Sequence, residues 1–434
     1  MKKLVGSAEI LVSRAGEDRD FRERLLASPR ETIEKEFGVT LAGGHEIHVH
    51  EETYNTTHLV LPPPGKLSEA EREAAKTGAA SLEFLRKTMY DPAPPLRPPA
   101  VERTTPGERA AASGDLAAAG RESIRRGLDF LESTVDENGA WSCIRFNIAD
   151  PDIPRHFERP PFISALCVLA LECSEEPQAK ALCAATGDYL VDTIEFPGLW
   201  RYYRHLPPDL DSTALCSIVI AAHPWIFLER NLPPILANRD EAGRFMTWVL
   251  AEDEPDVVSR FRIEADPVVN ANVIAYLGDR PETADAQSWL ETLVAEDGVD
   301  GSSKWYPDAV AIYYAIARAM VRAPTALERL RPILADRILE LHAGQEGFGN
   351  ILQTALAVSA LYNAGSLERI DATRETDRIV SSQREDGSWP ELLAFGDQEL
   401  KWGTVGQIGH GAEAVTSAFC IEALERLVEI LKAE

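Results

Sequence analysis

The chain has 434 residues, enough for two or three domains with a sizeable core, and its 45% hydrophobic and 26% charged residues suit an ordinary globular protein. Lys and Arg number 44 against 70 Asp and Glu, a net charge of −26 that repels a phosphate backbone and an anionic leaflet alike. Nucleic acid and electrostatic membrane docking are therefore excluded as primary functions. No apolar run approaches the roughly 18–20 residues that span a bilayer, so no transmembrane segment is expected. The start, MKKLVGSAEILVSRAGEDRD, lacks the continuous apolar stretch of a signal peptide. Six cysteines without a CxxC pair, several inside apolar helical patterns, predict free thiols in a cytoplasmic protein.

Residues 1–65 form the first predicted unit, small and α+β. Phe21, Leu25, Leu26 and Ile33 recur at helical spacing, and Gly38 is a stop signal. HEIHVHEET and NTTHLVLP then alternate around a polar turn, which predicts a hairpin with His48 and His50 on one solvated face. Asp20-Phe21-Arg22, Leu25 to Pro29, Glu46 to Thr53 and His58 to Pro62 resemble the nitrile-hydratase-like leader peptides of ribosomally made natural products. The resemblance implies a handle that a peptide-maturation enzyme or exporter recognises. The cysteine-rich metal motif of nitrile hydratase itself is absent. Residues 66–118 follow as a helix over 68–90 and a linker rich in Pro, Ala and charge.

From 119 to 434 the pattern repeats. Apolar segments begin near 162, 209, 267, 308, 351 and 411, and each follows a more amphipathic one: 119–134, 178–193, 241–251, 285–295, 327–342 and 371–384. The joins recur in form as DENGAW, EFPGLW, GVDGSSKW, QEGFG and REDGSWP, where Gly ends the outer helix and an aromatic residue precedes the inner one. Segments apolar on most faces must be buried all round. Six such pairs predict a closed double ring, an (α/α)6 toroid with six inner and six outer helices; an open solenoid is the competing arrangement.

In a closed ring the starts of all inner helices open at one end, and polar residues gathered there form a small-molecule site. Asp209, Asp211, Asn270, Asn272, Trp305, Tyr306, Gln353 and His410 stand at those starts. Asp209 has a plainer role as a helix N-cap, and Asn270 and Asn272 as backbone ligands. Pro208-Asp209-Leu210-Asp211-Ser212-Thr213-Ala214 resembles the Asp-x-Asp-Asp-Thr-Ala motif of class II terpene cyclases such as the squalene–hopene cyclases. Gln383 to Trp389 and Asn138 to Trp141 are similar to the Gln/Trp repeats of that superfamily, and Gly411 to Phe419 to its last helix.

The resemblance implies a toroid that binds a short hydrophobic isoprenoid and protonates its alkene from Asp211. Asp209 matches the flanking carboxylate, while Ser212 replaces the second one. Trp200, Tyr203, Trp305, Tyr306, Tyr313 and Trp402, with Asn270, Asn272, Gln353 and His410, are the substrate-binding residues expected on this reading. No DDxxD motif is present, so no cofactor is expected, and magnesium enters only with a diphosphate substrate. The zinc-bearing toroids require an Asp, Cys and His triad or a Cys-His-Gly run, and the latter would fall at Gly409-His410-Gly411, without its cysteine. No metal is expected. A second function class keeps the toroid non-catalytic, as a leader-bearing binding or maturation partner in a ribosomal peptide pathway.

Overall fold

The computed structural model describes residues 14–15, 18–37, 47–49, 116–148, 155–203, 206–221, 228–250, 264–342, 347–397 and 408–433. Two short helices, α1 (Arg19–Ala27) and α2 (Pro29–Phe37), pack through Phe21, Leu25 and Ile33 with Ile47 and Val49 beside them. Asp18 caps α1 by accepting the N–H of Phe21. Residues 47–49 carry no strand. The rest of the expected hairpin, the helix over 68–90 and the linker as far as residue 115 lie outside the described residues.

The remainder is a ring of helix pairs. The outer helices are α3 (Leu116–Thr134), α5 (Pro177–Asp192), α7 (Leu232–Ala237), α9 (Ala284–Ala295), α11 (Arg331–His342) and α13 (Ala372–Ser381). The inner ones are α4 (Pro161–Leu171), α6 (Leu210–Ile220), α8 (Pro267–Leu277), α10 (Ala309–Arg322), α12 (Ile351–Asn363) and α14 (Glu413–Ala433). Each inner helix packs on the next, and α14 returns to α4. The ring is closed, so the solenoid alternative is set aside. Burial explains the apolar sequences: every residue of α4 from Phe162 to Leu171 is buried. No described helix is long and apolar enough to cross a membrane.

Four of the joins share one hydrogen-bond plan. The N–H of residue i donates to the carbonyl of i+4, seen as Asp136 to Ala140, Glu195 to Leu199, Asp240 to Arg244 and Arg384 to Ser388. Residue i+3 is Gly139, Gly198, Gly243 or Gly387, all with positive φ, the region where a side chain is strained. Residue i+5 is Trp141, Trp200, Phe245 or Trp389. Its N–H donates to a polar side chain one turn into the following inner helix: Ser164, Thr213, Asn270 or Ser417. Each tryptophan indole also donates back to an outer-helix carbonyl, of Leu131, Leu190 or Ile379. The aromatic thus locks outer helix to inner helix while filling the space between them.

This plan corrects the third outer helix. Residues 241–250 of the expected outer helix are not helical; α7 is earlier, and residues 240–245 are a join of the common type with Phe245 in place of Trp. A four-stranded antiparallel sheet, β1 (Cys143–Asn147), β2 (His156–Glu158), β3 (Leu393–Asp397) and β4 (Ile408–Gly411) in the order β2-β1-β4-β3, lies between the first and last repeats. His410 belongs to β4 rather than to a helix start, opposite Arg145 of β1 and Phe395 of β3.

Candidate active site

Two aspartates at the start of α6 have separate surroundings. Asp209 is the N-cap: its carboxylate accepts from the N–H of Ser212 at 2.6 Å and of Tyr202 at 2.9 Å. Burial pushes its pKa to about 7, and the neighbouring Asp211 charge acts in the same direction. Asp211, in the first turn, reaches toward the next two repeats instead. Asn272 on α8 donates to Oδ1 at 2.5 Å and the Tyr306 hydroxyl to Oδ2 at 2.6 Å. Arg318 on α10 donates to Asn272 Oδ1 at 2.5 Å, which fixes the amide with its NH2 group toward Asp211.

Burial raises the pKa of Asp211, opposed by the hydrogen bonds from Tyr306 and Asn272 and by the Arg318 charge. Each carboxyl oxygen accepts one described bond, so a lone pair remains for an acidic proton. The carboxyl is held by groups that favour its ionised form inside surroundings that favour its protonated form. That is the balance an acid needs if it is to give up a proton and be left stabilised.

Asn272 and Tyr306 both line a cavity of about 40 Å³ inside the ring. Its walls are apolar, from Leu166, Val268, Leu352 and Val415, and aromatic, from Tyr306, Tyr314, Phe395 and Phe419. Arg318 brings the charge; it is 7% exposed, and its Nε and Nη1 have no hydrogen-bond partner among the described residues. Its guanidinium lies 5.3 Å from the Tyr314 ring centre. The Tyr314 hydroxyl donates to Glu422, whose pKa burial pushes to about 7.

The expected site residues divide accordingly. Asp211, Asn272 and Tyr306 come together, with Asp209 beside them as the cap. Asn270 does not join them: its amide holds both the N–H and the carbonyl of Phe245, and it is fully buried. Trp200 is the plug of the second join rather than a wall of the cavity. Gln353 closes a capping box with Asn350 at the start of α12. The Trp305 indole donates to Glu264 at 2.6 Å, while its carbonyl accepts from Gly396 and tethers β3 beside Tyr306. Tyr203 and the buried Tyr313 are outside the cavity lining, which does include Tyr314. Trp402 lies outside the described residues.

His410 sits behind Phe395, ring stacked on ring at 5.0 Å, and its Nδ1 is 2.8 Å from the Tyr202 hydroxyl. Burial and the charge of Arg145 push its pKa down to about 3, so the imidazole is neutral. Sequence reasoning missed Arg318, Phe395 and Phe419. A lone arginine inside the apolar run DAVAIYYAIARAM was a usable signal for the first; Phe395 sits in a strand that no repeat announces.

The ring is of a known type: the chain has a class II terpene cyclase-like α/α toroid fold. Among solved structures, the type II terpene cyclase MstE from Scytonema superposes with a TM-score of 0.54 at 17% identity, covering 73% of this chain and 99% of that one. A protein from Actinoplanes gives a TM-score of 0.57 at 18% identity, over 71% of this chain and 99% of its own. MstE has also been solved with geranylgeranyl dihydroxybenzoate as its substrate, TM-score 0.53. In sequence, the drimenol cyclase drtB of Aspergillus calidoustus is 24% identical over 226 residues, 50% of this chain and 38% of that protein. The match thus spans well under half of that relative's length. No family model matches the chain.

Proposed function

We propose that this protein is a protonation-initiated terpene cyclase whose acid is Asp211 and whose substrate is a short isoprenoid chain. The observation that carries the reading is the carboxyl of Asp211 held by Asn272 and Tyr306, two residues that line an aromatic-walled apolar cavity. Asp211 gives its proton to a carbon of an alkene; the alkene π electrons form the new C–H bond and leave a tertiary cation. A second alkene attacks that cation to close a ring. Loss of a proton from a neighbouring carbon ends the reaction with no net change in composition.

The same contacts that oppose the raised pKa then do their work. Tyr306, Asn272 and the Arg318 charge stabilise the carboxylate left behind. The faces of Tyr306, Tyr314, Phe395 and Phe419 stabilise the migrating cation, each by about 0.5–2 kcal/mol when dry. Apolar walls also exclude water, which would quench the cation early. At about 40 Å³ the cavity is smaller than a polyprenyl chain, so seating the substrate requires its lining side chains to part. The fold resemblance to MstE and the sequence match to drimenol cyclase support this reading.

The test is turnover of farnesyl and geranylgeranyl substrates, offered as diphosphates with magnesium, as free alcohols and as aryl-linked chains. Cyclic product from at least one, lost by at least 100-fold in Asp211→Asn, is the expected result. No product from the whole panel, with a folded protein, overturns the reading.

A further inference from the structure

Three donors of different kinds meet beside the cavity, on the sheet rather than on the ring. Cys143 and Glu158 face each other across β1 and β2 as register partners, and His410 comes from the neighbouring β4. The Cys143 sulfur, a Glu158 carboxylate oxygen and a His410 ring nitrogen all lie within 4.8 Å of one another. All three residues are more than nine-tenths buried, at 1%, 6% and 7% exposure. We propose that Cys143, Glu158 and His410 form a metal site for a borderline divalent cation, zinc foremost.

The donor chemistry selects that ion. Sulfur, imidazole nitrogen and carboxylate oxygen together suit zinc, whereas magnesium and calcium take sets made of oxygen. Bond lengths of about 2.0–2.3 Å place the ligand atoms of a tetrahedral zinc about 3.3–3.8 Å apart. His410 Nδ1 and Glu158 Oε2 are already 3.7 Å apart. The Tyr202 hydroxyl lies 2.8 Å from that same Nδ1 and 3.5 Å from the Cys143 sulfur, so it stands where a fourth oxygen ligand belongs.

The charges also balance. A thiolate and a carboxylate neutralise a divalent ion, with the cysteine releasing its proton on binding. Arg145, 3.0 Å from Glu158 Oε1, works against a second cation and orients the carboxylate so that Oε2 faces His410. Three adjacent strands supply the ligands, so the geometry is set before the ion arrives. A bound ion staples β2, β1 and β4 together and, through the stack of His410 on Phe395, stiffens one wall of the cavity. The site is structural, and it stands whether or not the cyclase reading does.

The experiment is a metal analysis of the full chain, produced with zinc supplementation and dialysed, followed by titration of the metal-free protein with zinc and with cobalt. The proposal expects about one zinc per chain, a melting temperature that falls when a chelator removes it, and a cobalt form with thiolate-to-metal charge-transfer absorption. Cys143→Ser must lose that absorption, and Tyr202→Phe must weaken zinc binding without abolishing it. Less than about a tenth of an ion per chain with no change of melting temperature in excess zinc overturns the proposal. Cobalt absorption unchanged in Cys143→Ser overturns it equally, since the ion is then bound elsewhere. Should Cys143→Ser fail to fold, the wild-type stoichiometry and absorption spectrum decide alone.

Discussion

Asp209 accepts two backbone N–H groups, whereas Asp211 accepts two side-chain donors, and this difference assigns distinct outcomes to their substitution. The pKa of Asp209 is about 7 in the fold against an ordinary 3.8, so the folded chain holds this proton more tightly than the unfolded one. Stability is therefore greatest below the ordinary value and is lost as pH rises towards 7, by up to about 4 kcal/mol for one such group. Asn is as good an N-cap as Asp and does not ionise. Asp209→Asn should thus flatten the fall in melting temperature between pH 5 and pH 8, and an unchanged slope would show that Asp209 does not titrate there. Tyr306→Phe acts on Asp211, the proposed acid. Without that hydroxyl the Asp211 carboxylate loses a donor, its pKa rises further, and turnover should fall about 10- to 100-fold while the alkaline limb of the pH–rate profile moves upward. A loss of rate with an unmoved limb would place Tyr306 in substrate shape rather than in proton transfer.

The join between outer and inner helix is the element on which the ring depends, and Gly387 is its most constrained point. Its φ is +86°, and a Cβ there would stand 2.2 Å from the Arg126 carbonyl oxygen on α3. Gly387→Ala should cost about 2 kcal/mol or more, read as a lower midpoint in urea with an unchanged slope. These joins were legible wherever Gly is followed by Trp, as in NGAW and DGSW, because the tryptophan fills a fixed space. The third was not. DEAGRF carries Phe for Trp, and EAGRFMTWVL imitates helical spacing, so the sequence suggests an outer helix where the chain makes turns and isolated bridges. The starts of the inner helices were legible to within two residues because burial on every face leaves an unmistakable apolar run. The strands were not, since segments of three to five residues carry no period of their own.

Closure of the ring decides which distant residues meet. Asp211 bonds Asn272 from 61 positions away and Tyr306 from 95, because adjacent inner helices bring their starts to one end. That part of the site follows from repeat counting alone. Arg318 enters from ten residues inside its helix, and Cys143, Glu158 and His410 meet through a sheet joining first and last repeats, so counting helix starts singles out His410, though as a helix residue, and misses the other three. Everything proposed about the chemistry rests on one proton leaving Asp211 for carbon. The direct measurement is cyclisation in deuterium oxide, with the product mass read for wild type and for Asp211→Asn. The account predicts one deuterium retained at the carbon that was protonated and no product from the variant. Product free of deuterium, or undiminished product from Asp211→Asn, would contradict it.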